Sequence, residues 1–215
     1  MPSKIKAVLF DFDGTIMDTN TVIIDSWNYA CEKHMGRRLP MDVIISTFGV
    51  PLEPAIREHI ETDDWKQAVD DYRSYQHENS CVVRMFDGVE ELLRELKARG
   101  YEIGIVTSRT WKNAPLALYG FEETAKLFDV IVSMETCDAH KPEPEPLYKA
   151  LELLGMDADE VLYVGDSKLD LMCAANAGVK SVLVGWSLCF PPEKAEIEFP
   201  ADIVIDKPSD LLDII

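Results

Sequence analysis

Residues 7–15 read AVLFDFDGT, an apolar run that ends in two acidic residues and a Gly-Thr pair. In a strand, alternate side chains point to opposite faces, so Asp11 and Asp13 share one face and the two phenylalanines share the other. Neighbouring carboxylates repel each other unless a cation or a shared proton relieves them. Gly14 permits a sharp turn that brings backbone N–H groups towards an anion. The stretch predicts a site for Mg²⁺ and phosphate; the alternative is that Asp13 caps a turn and Asp11 is solvated.

The charge of the chain limits its partners. It has 215 residues, enough for a substantial core in one or two domains, and a formal net charge of -18 from 21 basic and 39 acidic residues. Because no basic cluster is large enough to follow a phosphate backbone, we expect no nucleic-acid partner. An anionic substrate must then be met by a metal ion or by locally placed Lys and Arg side chains.

The cysteines and the apolar runs indicate the compartment. The five cysteines are scattered and show no Cys-x-x-Cys spacing, which argues against a disulfide framework or a structural zinc site. The first apolar run meets Asp11 too early for a signal peptide, and no later run approaches the roughly 20 apolar residues of a membrane span. The sequence therefore predicts a cytoplasmic protein with no membrane partner.

Residues 17–83 show apolar side chains at helical spacing and no credible strand. We expect one helix over about residues 18–34, shorter helices that open at Pro40 and Pro54, and a longer helix from about Asp63. The apolar stripe of these helices is better explained as a small core than as a ligand site.

The pattern changes after Met85-Phe86, where short apolar runs alternate with helical patterns. The strand candidates there are residues 102–108, 128–133, 161–164 and 181–184. Such runs predict a parallel sheet buried on both faces, and right-handed crossovers make it a Rossmann-like, doubly wound α/β sheet. The first strand has no parallel partner within the helical block, so it joins this sheet. We predict a catalytic core of residues 1–15 and 84–215, with an all-helical cap domain inserted as residues 16–83.

Ligands of an open α/β sheet bind beyond the carboxyl ends of its strands. The first strand ends at Asp11 and Asp13, the second at Thr107 and Ser108, and the fourth at Asp166 with Asp170 a turn later. The third crossover passes through Lys141. The types suit phosphoryl transfer, which needs a nucleophile, charge neutralisation and an anion cradle. Each residue alone has a simpler explanation, such as a helix N-cap for Thr107 or a solvated loop position for Lys141. The complete set, in this order, favours a site.

The chemistry of each group suggests its role. A carboxylate can accept a phosphoryl group, so Asp11 is the candidate nucleophile. Asp13 is the candidate acid and base, because it could protonate the leaving oxygen and then deprotonate water. Asp166 and Asp11 offer hard oxygen ligands for one Mg²⁺. Thr107 can donate hydrogen bonds to phosphate oxygens, and Lys141 can neutralise negative charge.

On these residues the chain resembles the haloacid dehalogenase-like superfamily of phosphotransferases. Four motifs of the superfamily match DFDGT at 11–15, the Thr107-Ser108 strand end, Lys141-Pro142 and GDSKLD at 165–170. The resemblance implies a helical cap that closes over the substrate, a backbone carbonyl of Asp13 that also ligates Mg²⁺, and an Asp170 that supports the metal site. The stretches 138–155 and 174–186 resemble the phosphoglycolate phosphatase and pyrophosphatase branch in particular.

The resemblance implies a Mg²⁺-dependent phosphatase that hydrolyses a small phosphorylated metabolite, either a phosphoglycolate-like phosphomonoester or pyrophosphate, through an aspartyl-phosphate. Dehalogenases and phosphonate-cleaving members lack a carboxylate two residues after the nucleophile, so Asp13 disfavours both. Two alternatives stay open: a phosphomutase of the same superfamily and a phospho-accepting signalling domain. The sequence also leaves open whether the protein is a monomer or a homodimer.

The cap is expected to select the substrate, and its sequence is less informative. Gly49, within Phe48-Gly49-Val50-Pro51, resembles the specificity loop of related caps, where glycine permits close approach of the backbone to a ligand. Arg57 is a candidate partner for a substrate carboxylate or second phosphate, although a surface position is the commoner fate of an arginine. Trp111 either borders the cleft or packs on a helix, and packing is the commoner role.

Overall fold

The computed structural model of the protein describes residues 4–110 and 122–215, so Trp111 lies outside the described residues. The chain forms a central sheet with helices on both faces, together with a separate block of helices. Eight strands are labelled in chain order: β1 Ala7–Phe10, β2 Met17–Asp18, β3 Arg84–Met85, β4 Glu102–Val106, β5 Val130–Val132, β6 Val161–Gly165, β7 Lys180–Val184 and β8 Ile203–Ile205. Within the described ranges, no helix combines the length and the apolar character that a membrane crossing requires.

Six strands form one sheet in the order β5-β4-β1-β6-β7-β8, and each neighbouring pair is parallel. The chain builds outward from β1 to one side with β4 and β5, and then to the other side with β6, β7 and β8. The strand order therefore reverses around β1, which is the place where open α/β sheets bind ligands. The predicted α/β fold class, with its doubly wound parallel sheet, is confirmed.

The described helices are α1 Asn20–Met35, α2 Met41–Ser46, α3 Leu52–His59, α4 Trp65–Glu78, α5 Val89–Ala98, α6 Glu122–Ala125, α7 Glu145–Leu154, α8 Lys168–Ala177 and α9 Pro192–Glu198. Short 3-10 turns lie at Ser80–Val82, Met134–Thr136, Ala158–Glu160 and Pro208–Asp213. One predicted boundary is wrong: α3 begins at Leu52 and has Pro51 as its N-cap, whereas Pro54 was expected to open it. Proline is tolerated anywhere in a first turn because those N–H groups have no partner within the helix, so its exact position was ambiguous.

Both faces of the sheet are apolar, which explains why its strands lack a polar alternation. Val8 and Phe10 of β1 pack in a cluster with α5, whereas Ala7 and Leu9 pack in a second cluster with α7 and α8. Phe12 continues on the face of Phe10. Asp11 is thereby directed to the opposite side from the two phenylalanines, as the alternation predicted.

The helices α1 to α4 form a hydrophobic cluster of their own between β2 and β3. Trp27 of α1, Ile56 of α3 and Tyr72 of α4 are buried in it. The two short strands β2 and β3 pair antiparallel and mark where the chain leaves and re-enters the core. Ile16 and Met17 still pack with the sheet. The exact residue limits of core and cap stay a prediction.

Candidate active site

A cleft of about 800 Å³ lies between the carboxyl end of the sheet and the helical block. The predicted residues that line it are Asp11, Asp13, Gly14, Gly49, Thr107, Ser108, Lys141 and Asp166. Asp170 is buried directly behind this wall, in contact with Lys141. The strand-end rule therefore brings together residues from four distant parts of the sequence.

Lys141 pairs with two carboxylates at the core side of the cleft. We call this side the core wall and define it by the lining residues Asp11, Asp13, Thr107, Ser108, Lys141 and Asp166. The ammonium group of Lys141 is close to both carboxylates. Its Nζ lies 2.7 Å from Oδ1 of Asp11 and 2.6 Å from Oδ1 of Asp170. The lysine side chain is 2% exposed, and those of Asp11 and Asp170 are 7% and 1% exposed. A buried ammonium is stable only when it is paired in this way. The solvated loop position considered for Lys141 is therefore not what the structure contains.

Asp170 holds Lys141 in place and also helps to cap the start of helix α8. Its Oδ2 accepts hydrogen bonds from the N–H and the hydroxyl of Ser167, which form a capping box with it. Its Oδ1 accepts from Lys141 and lies 2.8 Å from the Tyr163 hydroxyl. Both carboxylate oxygens are thus engaged by the protein itself, so helix capping and support of Lys141 are combined in one residue.

The burial of this cluster shifts its proton affinities. Burial raises the pKa of Asp11 from 3.8 to about 7, although the positive charge of Lys141 opposes the rise. Burial also acts on Asp170, but the charge and hydrogen bond of Lys141 outweigh it and hold the pKa of that carboxyl below its usual value. The two carboxylates in turn raise the pKa of Lys141, against the effect of burial. Lys141 is therefore cationic, and Asp170 is its permanent anionic partner.

Asp166 is held at the end of β6 by a residue that sequence reasoning missed. The Ser187 hydroxyl, just beyond β7, donates a hydrogen bond to Oδ2 of Asp166. Burial raises the pKa of Asp166 well above its usual value, and the negative charges of Asp11 and Asp170 raise it further. Gly14 has a φ of 77°, and a Cβ there would lie 1.9 Å from Oδ2 of Asp166. Only glycine permits this approach of the DFDGT turn to Asp166.

The donor set fits a divalent metal ion. One carboxylate oxygen from each of Asp11, Asp166 and Asp170 lies within 4.8 Å of the others, and all three residues are buried. With Asp13, four carboxylates face two cations, Lys141 and Arg109, an excess of two negative charges when all are ionised. Buried excess charge is costly. Hard oxygen ligands with two uncompensated charges match Mg²⁺ better than a soft or monovalent ion.

Asp13 pairs with Arg109, which sequence reasoning also missed. The guanidinium Nε lies 2.6 Å from Oδ2 of Asp13, and the pairing raises the pKa of Arg109 against the effect of burial. Within the described residues, Oδ1 of Asp13 is buried and has no hydrogen-bond partner. Thr107 supports the turn, because its Oγ1 accepts a hydrogen bond from the Arg109 N–H at 3.1 Å. This bond uses the hydroxyl oxygen as acceptor and does not use its proton.

The structure does not bring Arg57 to the cleft. Its guanidinium lies 3.7 Å from the centre of the Trp65 ring, in a cation–π contact on the surface of the cap. The amphipathic helix α3 explains this, because Arg57 lies on its exposed face whereas the neighbouring Ile56 is buried in the cap. Gly49, the other cap candidate, does line the cleft and has a φ of 76°.

The missed residues obey the same rule as the predicted ones. Arg109 follows Thr107 by two positions at the end of β4, and Ser187 follows β7 by three. Extending the strand-end rule to every strand, and two or three residues past each end, would have pointed to both. Sequence alone does not show that their side chains turn inward.

The family of the chain follows from its similarity to known proteins. The model of the haloacid dehalogenase-like hydrolase family matches residues 8–184. The chain therefore belongs to that family, which confirms the resemblance predicted from the four motifs. Membership of a hydrolase family makes the protein an enzyme and removes the signalling-domain alternative.

Individual relatives extend over the whole chain. A protein of Caldanaerobacter subterraneus subsp. tengcongensis with the provisional name pyrophosphatase PpaX is 43% identical over 99% of this chain and 95% of its own length. Pyrophosphatase PpaX of Bacillus mycoides is 36% identical over 99% of this chain and 97% of its own length. The crystal structure of a predicted phosphoglycolate phosphatase from Haemophilus somnus has a TM-score of 0.88 and 25% identity, and covers 100% of this chain and 99% of that one. The chain is thus similar to proteins of both names that the sequence suggested.

Proposed function

We propose that the protein is a Mg²⁺-dependent phosphatase that hydrolyses a small phosphorylated metabolite through an aspartyl-phosphate on Asp11. The observation that carries the proposal is the convergence of Asp11, Lys141 and Asp166 at the switch point of the sheet, in a cleft that Asp13 also lines. The names of the relatives support phosphoglycolate-like esters and pyrophosphate as the substrates to test first.

In the first step, the Asp11 carboxylate attacks the phosphorus atom and the bond to the leaving-group oxygen breaks. Asp13 gives its proton to that oxygen. The burial that raises the pKa of Asp11 would leave part of it protonated near neutral pH, so Lys141 has the task of favouring the charged, attacking form. The pairing at 2.7 Å also fixes the orientation of the carboxylate.

In the second step, Asp13 is a carboxylate and takes a proton from water, whose oxygen attacks the phosphorus. The bond to Asp11 breaks, phosphate leaves, and both carboxyl groups return to their starting states. Arg109 holds Asp13 by one oxygen only, which leaves Oδ1 to exchange the proton. Thr107 and Ser108 line the cleft, and their hydroxyls would donate hydrogen bonds to phosphoryl oxygens.

Mg²⁺ would be held by Asp11 and Asp166, with the backbone of Asp13 as a further ligand implied by the family. When bound, Mg²⁺ supplies positive charge that offsets the charge of the phosphoryl group and of the carboxylates. Since both oxygens of Asp170 already accept hydrogen bonds, we assign it to the support of Lys141 and of the site rather than to direct ligation.

Phosphate release from a panel of phosphorylated metabolites, including phosphoglycolate and pyrophosphate, tests the proposal with and without Mg²⁺. We expect Mg²⁺-dependent release from at least one of them. A protein that releases none would contradict the proposal. Transfer of the phosphoryl group to another position of a sugar phosphate, without net release, would instead support the phosphomutase alternative. The cytoplasmic location and the monomeric or homodimeric state stay predictions.

A further inference from the structure

The cleft has a second wall, formed by the cap, whose polar groups the proposed reaction does not use. We call it the cap wall and define it by the cleft-lining residues Thr19, Asn20, Tyr72, Arg73 and Gln76. The first two lie at the start of α1, and the other three lie on consecutive turns of α4. They line the cap side of the cleft, whereas the Lys141 cluster belongs to the core side.

Unpartnered buried atoms are concentrated at this cleft. In the described part of the chain, the buried side-chain nitrogens and oxygens without a hydrogen-bond partner are Asp13 Oδ1, Thr15 Oγ1, Thr19 Oγ1 and Arg73 Nε. Three of these four residues line the cleft. Because buried polar atoms almost always have a partner, atoms left over at a cleft are candidates for contact with a ligand. Asp13 has that role in the proposed reaction; Thr19 and Arg73 have none.

Arg73 also differs from the other cations of the cleft. Lys141 and Arg109 each lie within 2.7 Å of a carboxylate oxygen. For Arg73 the nearest described carboxylate is Glu53, whose Oε1 lies 3.7 Å from a terminal nitrogen, which is too far for a hydrogen bond. Of the lysines and arginines that line the cleft among the described residues, Arg73 therefore has most of its hydrogen-bonding capacity left.

The chemistry of the missing partner follows from these groups. A guanidinium has donors and no acceptor, and the Thr19 hydroxyl is a further donor. Two unpartnered donors on one cleft, one of them charged, fit a group rich in acceptor oxygens and negatively charged, such as a carboxylate or a phosphate. In a chain with a net charge of -18, an anion is attracted only where a local cation is placed to meet it.

We propose that Arg73 and Thr19 form a subsite for a second anionic group of the substrate, carried by the leaving group. The inference rests on the proposed phosphatase function, because it assumes that the phosphoryl group occupies the core wall. The second group is either a carboxylate, as in phosphoglycolate, or a second phosphoryl group, as in pyrophosphate. Arg73 takes the role that the sequence suggested for Arg57.

A matched pair of substrates isolates the second charge. Phosphoglycolate and 2-hydroxyethyl phosphate have the same chain length, but the second carries a neutral hydroxymethyl group in place of the carboxylate. We expect Arg73→Gln to lower the ratio of their kcat/KM values, phosphoglycolate over 2-hydroxyethyl phosphate, by at least about 10-fold, mainly through the KM for phosphoglycolate. Arg57→Gln, the same change at a cap arginine outside the cleft, should leave the ratio at its wild-type value. An equal fall for both substrates in Arg73→Gln would overturn the inference.

Thr19 provides a second, finer comparison. Thr19→Val removes the hydroxyl and keeps the shape, whereas Thr19→Ser keeps the hydroxyl. The substrate ratio should fall about 3- to 10-fold in the valine variant and stay near wild type in the serine variant. If valine and serine behave alike, Thr19 has no part in the subsite.

Binding to an inactive enzyme separates this inference from the function itself. In the Asp11→Asn variant with Mg²⁺, calorimetry compares methylenediphosphonate, a pyrophosphate analogue that is not hydrolysed, with methylphosphonate, which carries one anionic group. We expect the first to bind at least about 10-fold more tightly, and Arg73→Gln to abolish that advantage. The subsite is overturned if Asp11→Asn binds both phosphonates equally tightly and Arg73→Gln leaves the ratio of kcat/KM values unchanged. If Arg73→Gln abolishes the tighter binding of methylenediphosphonate but the wild type releases no phosphate from any substrate, the subsite stands and the phosphatase function is overturned. Parallel runs with pyrophosphate and phosphoglycolate show which second anion the subsite takes.

Discussion

The two walls of the cleft differ in how completely their polar groups are partnered. On the core wall, Lys141 joins two carboxylates and each oxygen of Asp170 accepts hydrogen bonds. On the cap wall, Thr19 and Arg73 retain buried atoms without a partner in the described chain. The reacting groups are thus fixed before a substrate arrives, whereas the cap wall offers donors that a substrate can complete. Preorganisation of the reacting groups favours rate, and open donors on the other wall favour selection.

The largest effect is expected on the core wall. Asp11→Asn replaces the attacking carboxylate by an amide of the same shape, and we expect phosphate release to fall by at least about 10⁴-fold. The assay is continuous phosphate detection with the best substrate and Mg²⁺. Asp159→Asn makes the same chemical change at an exposed position, and its activity should match the wild type. An Asp11→Asn enzyme that keeps its activity would show that Asp11 is not the nucleophile.

The second prediction compares an ion pair of the core with one of the cap. Lys141→Met leaves two buried carboxylates without their cation, so the free energy of unfolding should fall by about 3–5 kcal/mol. Lys33→Met breaks the pair of Lys33 with Asp71, where the lysine side chain is 47% exposed, and should have a much smaller effect. Urea unfolding of both variants at neutral pH measures the difference. Equal losses of unfolding free energy in Lys141→Met and Lys33→Met would show that burial of the Lys141 ion pair does not make it more important for stability.

The residues of the core wall could be predicted from the sequence, whereas those of the cap wall could not. Asp11 and Asp166 stand directly at strand ends, which the topology of a parallel sheet brings together whatever the details of packing, and Lys141 lies on the crossover between β5 and β6. Arg73 lies in the middle of a helix, where the side of the cap that faces the cleft depends on how four helices pack. Charge alone makes Arg57 a candidate, but the rotation of α3 about its axis is a tertiary property, and it places the Arg57 side chain on the Trp65 ring.

A third prediction tests the support of Asp166. Ser187→Ala removes the hydroxyl that donates to this carboxylate, and we expect Mg²⁺ to bind about 10-fold more weakly. Calorimetric titration with Mg²⁺ in the absence of substrate is the readout, so the result does not depend on turnover. The control is Ser46→Ala, which removes an exposed hydroxyl of the cap that donates to the Val43 carbonyl. Unchanged Mg²⁺ affinity in Ser187→Ala would mean that Asp166 needs no such support.

The smallest predicted effect is a pH dependence of stability. Because burial raises the pKa of Asp11 from 3.8 to about 7, its protonated form is favoured in the folded state. Without metal, its contribution to stability is fully present below pH 3.8 and is lost as the pH rises through about 7. Mg²⁺ binds the deprotonated carboxylates, so it should raise Tm by a few degrees more at pH 8 than at pH 5. Thermal unfolding with and without Mg²⁺ measures this, and an equal shift at both pH values would contradict the assignment.

The central claim is that the carboxylate of Asp11 carries the phosphoryl group during turnover. Acid quenching of the enzyme a few milliseconds after mixing with substrate, followed by peptide mass spectrometry, tests it directly. We expect one phosphoryl group on the peptide that contains Asp11. Phosphate release with a phosphoryl group on another residue, or on none at any quench time, would contradict the account.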